Sequence, residues 1–216
     1  MLQRNPDRDD GPLNRPAPPY DYNPSAWTQR IPICVVAFIA AAISGYMSMY
    51  QWGLIDGVWD PVFGDGSNKV LKSDTAKWMY GFLGIHDAAL GSLAYLGDAI
   101  LGFAGSTRRW QYRPWLVILF GIDVIPLGIV SAVLVLCQAF IVGEWCFLCL
   151  LTAVGSLILV YWAWDEVRAS LTYLLYVKRQ GSSRRVFWEA VLGKRTEETD
   201  RLCDAYLQTE LKPEAA

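Results

Sequence analysis

Histidine and charge are what this chain has little of. One histidine stands among 216 residues, and one imidazole with two or three thiols on a face falls short of the four ligands that a structural zinc site takes. Aspartate, glutamate, lysine and arginine are nearly missing from three stretches, 31–50, 114–137 and 145–164. Basic excess is missing as well: the net charge is −2, and the basic residues sit beside those stretches instead of forming a stripe, which argues against a nucleic-acid partner. No cysteine falls within 51–85. The first thirty residues carry no apolar run ending in a small-residue cleavage site, and their four acidic residues exclude a transit peptide, so 31–50 reads as a retained anchor.

What is there must be segregated. The chain is 53% hydrophobic yet holds 21 acidic and 19 basic residues. Each of the three apolar stretches is long enough to cross about 30 Å of hydrocarbon. A fourth, 86–104, is shorter and more polar, with His86 and Asp87 at its start and Asp98 within. Six prolines in 1–30 predict a disordered tail. Past Trp164 the helical pattern runs on to about Val177 and breaks at Gly181-Ser182-Ser183, after which 184–192 reads as a basic amphipathic helix. The expectation is an all-α, integral membrane four-helix bundle. Its parts are a disordered N-terminal tail (1–30), a four-span domain (31–168) and a helical cytoplasmic extension (169–216).

Charge asymmetry sets the orientation. The connection 106–113 has three arginines and no acid, so it is expected on the cytoplasmic side, as is the basic segment after the last span. Both termini then lie in the cytoplasm, and 51–85 and 138–144 face outward. Trp52, Trp110, Trp115, Trp145, Trp162 and Trp164 fall near span ends and read as interface anchors. Asp98 and Asp123 lie within spans, where a carboxylate is costly; pairing of Asp98 with Arg108, Arg109 or Arg113 is expected. Pro126 predicts a kink in the third span.

Against that map, Cys146-Phe147-Leu148-Cys149 stands out. Thiols three residues apart on a helix share a face, about 5–6 Å apart at Cβ, and closing a first turn brings them to disulfide range. A helix N-terminus favours thiolate. The pair is expected at the outer mouth of the fourth span, where disulfides persist. Cys137, at the outer end of the third, can approach it or simply pack as a small apolar residue. His86 and Asp87, at the same level, can relay protons or hydrogen-bond a ligand; an interfacial histidine and a helix-capping aspartate are the alternative.

Three segments resemble the vitamin K epoxide reductase family: Trp145-Cys146-Phe147-Leu148-Cys149-Leu150, like its redox CxxC; 87–95, like its Gly and Tyr pattern; and the loop 59–73. The resemblance implies a four-helix membrane domain similar to bacterial quinone-linked disulfide-forming enzymes. It implies Cys146 as the sulfur that forms a mixed disulfide and Cys149 as the one facing a quinone of the ubiquinone or menaquinone type. It also implies an exported thioredoxin-like partner and a bacterial cytoplasmic membrane. Relatives carry a second cysteine pair in the outward loop; here Trp59 and Ser67 occupy that region. The Asn-like position that faces quinone is Asp87, and the tyrosine expected four residues past the second cysteine is Ala153. The implied function is electron transfer from an external dithiol through Cys146 and Cys149 to quinone. The alternative is an attenuated structural or assembly subunit of a larger membrane complex.

Overall fold

The computed structural model describes residues 16–210, with side chains through Gln208. The described residues form helices and connecting turns, with no strand among them. In chain order the helices are α1 (Trp27–Gln51), α2 (Gly66–Leu71), α3 (Asp74–Leu83), α4 (Asp87–Phe103), α5 (Arg109–Tyr112), α6 (Pro114–Cys137), α7 (Phe147–Arg179), α8 (Arg184–Leu192) and α9 (Glu197–Glu210); a π-helical turn, Gln138–Val142, extends α6. Three are long and apolar enough to cross a membrane: α1, α6 with its π-turn, and α7. The expected fourth span, α4, has 17 residues. Pro126 stands inside α6, which remains one helix from Pro114 to Cys137.

The chain divides into two compact units. One is built from Ile33–Ile100 and Ile122–Tyr161. Within it α1, α4, α6 and α7 meet through small residues, as helices do where lipid removes the hydrophobic incentive to associate. Ser92 Oγ donates to the Ala41 carbonyl at 3.0 Å. The Tyr95 hydroxyl reaches the Thr152 carbonyl at 3.1 Å and Ser156 Oγ at 2.5 Å. A Cβ on Gly128 would fall 2.6 Å from Val160, so bare glycine lets α6 and α7 approach there.

The other unit holds the described residues up to Pro32, Leu101–Gly121 and the described residues from Trp162 onward. Its centre is a buried ion pair: Arg109 and Glu166 meet at 2.5 Å with side chains 0% and 1% exposed. Ser25 Oγ also donates to Glu166. Arg30, fully buried, donates to the carbonyls of Gly102, Ala104 and Gly105 at 2.7–3.0 Å and so satisfies the end of α4. Beside this, Trp110, Tyr173, Tyr176 and Tyr206 form an aromatic cluster with ring centroids 5.1–6.4 Å apart, packed with Ala17, Ala190 and Cys203.

Several expectations change here. Residues 1–15 of the expected tail lie outside the described residues, but 16–30 are packed: Ala17 is buried, Asn23 donates to the Thr107 carbonyl at 2.8 Å, and α1 begins at Trp27. The expected pairing of Asp98 with an arginine is not seen as a hydrogen bond: Arg109 is engaged by Glu166, and among the described residues both carboxylate oxygens of Asp98 are buried without a hydrogen-bond partner. Trp110 is 1% exposed and serves as core instead of an interface anchor, whereas Trp52, Trp115, Trp145 and Trp164 are exposed. The segment 184–192 is helical as expected, with Val186 and Ala190 turned into the protein and Trp188 and Leu192 exposed.

Candidate active site

Cys146 and Cys149 form a disulfide, with Cα atoms 5.2 Å apart, within the ordinary range for a bridge. Cys146 immediately precedes α7, and its Sγ accepts the Cys149 N–H at 3.1 Å, taking the place of an N-cap oxygen. When reduced, the sulfur at that position has an N–H and the positive end of a long helix to stabilise a thiolate. The Cys146 N–H donates in turn to Gln138 Oε1 at 3.0 Å. Gln138 opens the π-turn that ends α6, and such turns re-aim side chains that a regular helix would direct elsewhere.

The two sulfurs face different surroundings. Cys149 is partly exposed, lies 3.6 Å from Met47 Sδ, and lines a cavity of about 120 Å³. Cys146 is 0% exposed and is not among the cavity-lining residues. The walls are largely apolar, among them Met47, Leu71, Leu127 and Leu134; polar groups come from Ser44, Asp87, Tyr95, Ser131, Gln138 and Thr152. Cys137 lines it as well, as a free thiol.

Of the residues singled out from sequence, Asp87 reaches the cavity, where it accepts a 2.6 Å hydrogen bond from Gln51 Nε2. His86 stacks on Tyr80 at 4.5 Å and Ala153 is buried; neither lines the cavity. Gln138, Met47 and Thr152 escaped sequence reasoning. Gln138 had one signal, a polar residue right after an apolar run, but only the π-turn reveals where its side chain goes.

Above the pair lies the loop that has no cysteine. Asp60 gathers five donors in it: Oδ1 accepts from the backbone N–H of Val62 at 3.0 Å and Phe63 at 2.7 Å, and Oδ2 accepts from Ser67 Oγ at 2.6 Å, Ser67 N–H at 3.2 Å and Phe147 N–H at 3.4 Å. Burial raises the pKa of this carboxyl, but those hydrogen bonds outweigh it and bring it down to about 2. In the other unit, burial together with Asp204 and Asp200 pushes the Cys203 thiol up to about 12, consistent with an inert packing role.

No curated protein and no solved structure matches the chain. The model of the vitamin K epoxide reductase family matches residues 31–164, which contain the disulfide, the cavity and the loop above them. With well over half of the 216 residues matched, this chain belongs to the vitamin K epoxide reductase family, integral membrane thiol-disulfide oxidoreductases linked to quinones.

Proposed function

We propose that this protein oxidises an external thioredoxin-like dithiol and passes the two electrons through Cys146 and Cys149 to a membrane quinone. The observation that carries the reading is the division of labour between the sulfurs: Cys149 opens on an apolar cavity while Cys146 does not. The cavity suits a quinone in kind. It offers apolar walls for a ring and hydrogen-bonding groups for its carbonyls. Gln138, a cavity-lining residue, commits its oxygen to the Cys146 N–H and keeps its amide nitrogen as a donor, and Asp87 is held in place by Gln51.

A partner thiolate attacks Cys146 Sγ, the Cys146–Cys149 bond breaks, and Cys149 leaves as thiolate into the cavity. The partner's second thiol then displaces Cys146, so the partner leaves as a disulfide and the CxxC pair is a dithiol. Quinone bound in the cavity supplies a two-electron, two-proton acceptor. The Cys149 N–H and the α7 N-terminus hold Cys146 as the better thiolate of the reduced pair, and re-forming the disulfide returns the site to its starting state. Asp87 is the carboxylate nearest to hand for proton exchange at the cavity wall.

In this reading α4 is also a span, the second of four in chain order, both termini are cytoplasmic, and the CxxC faces outward in a bacterial cytoplasmic membrane. Because 51–85 holds no cysteine, that loop offers no shuttle pair, and the external dithiol exchanges with Cys146 directly. Purified protein in lipid is expected to oxidise reduced thioredoxin in a quinone-dependent manner, and Cys146→Ser and Cys149→Ser are each expected to abolish turnover. Wild-type turnover no greater than that of both variants, across ubiquinone and menaquinone analogues, would remove the proposal.

A further inference from the structure

We infer that Asp60 is a positioning residue that holds a strap, residues 58–68, closed over Cys146, so that this sulfur is shielded from small thiols and reserved for a protein dithiol that displaces the strap. Cys146 has no exposed surface, yet exchange needs a sulfur to approach it in line with the bond that breaks. Five contacts tie the strap and its extension to the segment around Cys146. Asp60 Oδ2 accepts the Phe147 N–H. A Cβ on Gly66 would collide with the Trp145 carbonyl, so the backbones touch there. Lys69 and Glu144 pair at 2.6 Å. Phe63 stacks on Trp145 with centroids 6.5 Å apart, and Trp59 meets Phe147 edge-on at 6.2 Å.

The hydrogen bonds of Asp60 are unequally shared. Those from Val62, Phe63 and Ser67 lie within the strap, and Ser67 is fully buried. Only the Phe147 bond, at 3.4 Å the longest of the five, crosses to the helix that carries the disulfide. The strap is therefore a preformed unit that can lift with its own bonds intact. What must break on lifting is the long bond from Phe147, the 3.0 Å bond that the Trp59 N–H donates to the Tyr46 hydroxyl on α1, an exposed ion pair and two aromatic contacts. A partner that brings apolar surface of its own replaces those aromatic contacts; a small thiol cannot.

The proposal rests on Cys146 being the sulfur attacked, but its test needs no quinone and no turnover. Reduction of the Cys146–Cys149 disulfide by dithiothreitol is followed in the full chain in nanodiscs, by quenching and alkylation. Asp60→Ala is expected to speed reduction about tenfold, the loss of one charge-assisted hydrogen bond and the knot behind it. Ser67→Ala, which leaves the charge in place, is expected to speed it severalfold while the equilibrium against a dithiothreitol redox buffer stays within about twofold, since a gate changes access and not the driving force. In Lys69→Cys with Glu144→Cys, a bis-maleimide bridge is expected to slow reduction about tenfold. Wild-type rates in both Asp60→Ala and Ser67→Ala, or an unslowed bridged variant, overturn the inference; so does a rate gain in Ser67→Ala matched by an equal shift in equilibrium. Should Asp60→Ala fail to fold, Ser67→Ala and the bridge still decide.

Discussion

At the scale of single residues, two carboxylates show how surroundings set the worth of a charge. Asp60, beside the redox pair, has its carboxyl near 2 because burial is outweighed by the Ser67 hydroxyl and three backbone N–H groups. A carboxyl lowered on folding stabilises the folded form above its ordinary value near 3.8, and that stability is lost as pH falls through about 2. Disulfide reduction, corrected for the ionisation of the reagent, should hence be flat from pH 5 to 8 and accelerate only below about pH 3; an acceleration between pH 5 and 7 would assign closure to another group. Glu166 is buried, and its charge is compensated by the Arg109 guanidinium and the Ser25 hydroxyl. Removing one partner of such a pair leaves an uncompensated charge, so Glu166→Ala should cost about 3–5 kcal/mol. Unfolding in detergent should show the loss, and a change under about 1 kcal/mol would mean that Arg109 finds another acceptor.

Helices and turns carry the next layer. Helix α7 runs unbroken for 33 residues and presents the disulfide at its first turn and Glu166 within its length, so one element serves both units. Helix α8 is closed by Gly193, whose φ is +72° and whose missing Cβ makes room for the Tyr112 carbonyl. The left-handed backbone alone costs an alanine about 1–2 kcal/mol, and the collision adds to it. Gly193→Ala should therefore lower stability by at least about 1 kcal/mol in the same unfolding assay, more than Gly181→Ala, where φ is +69° but a Cβ would meet nothing within 4 Å. Equal losses at the two positions would show that the contact with Tyr112 is immaterial. Element boundaries follow local chemistry closely here: Ser73 and Ser183 cap α3 and α8 by accepting the N–H groups of Ala76 and Val186.

For the whole molecule, topology in the membrane is the property to measure. With Asp74→Cys and Gln180→Cys, both at exposed positions, an impermeant maleimide should label the first in intact cells and the second only after lysis; labelling of both from one side would reverse the charge-based orientation. Much of this was legible in the residues. Long stretches without charge fix membrane helices because an unpaired backbone or side-chain charge is costly in hydrocarbon, and the CxxC spacing fixes a disulfide-capable pair because three residues span one helical turn. The ends of α8 follow from Ser183 and Gly193 for the same local reason. Contacts between distant residues were not legible. Arg109 meeting Glu166 in place of Asp98, the packing of 16–26, and Gln138 turning to the Cys146 N–H depend on which helices lie side by side. Asp87 reaches the cavity while His86 and Ala153 do not, a difference of side-chain direction that spacing from the family motif does not contain. The sequence by itself determined the membrane helices and the redox pair, since hydropathy and spacing act over a few neighbouring residues. Only the tertiary structure decided that Cys149 opens on a cavity while Cys146 lies under the loop of Asp60, because burial is set by what other parts of the chain bring against a side chain.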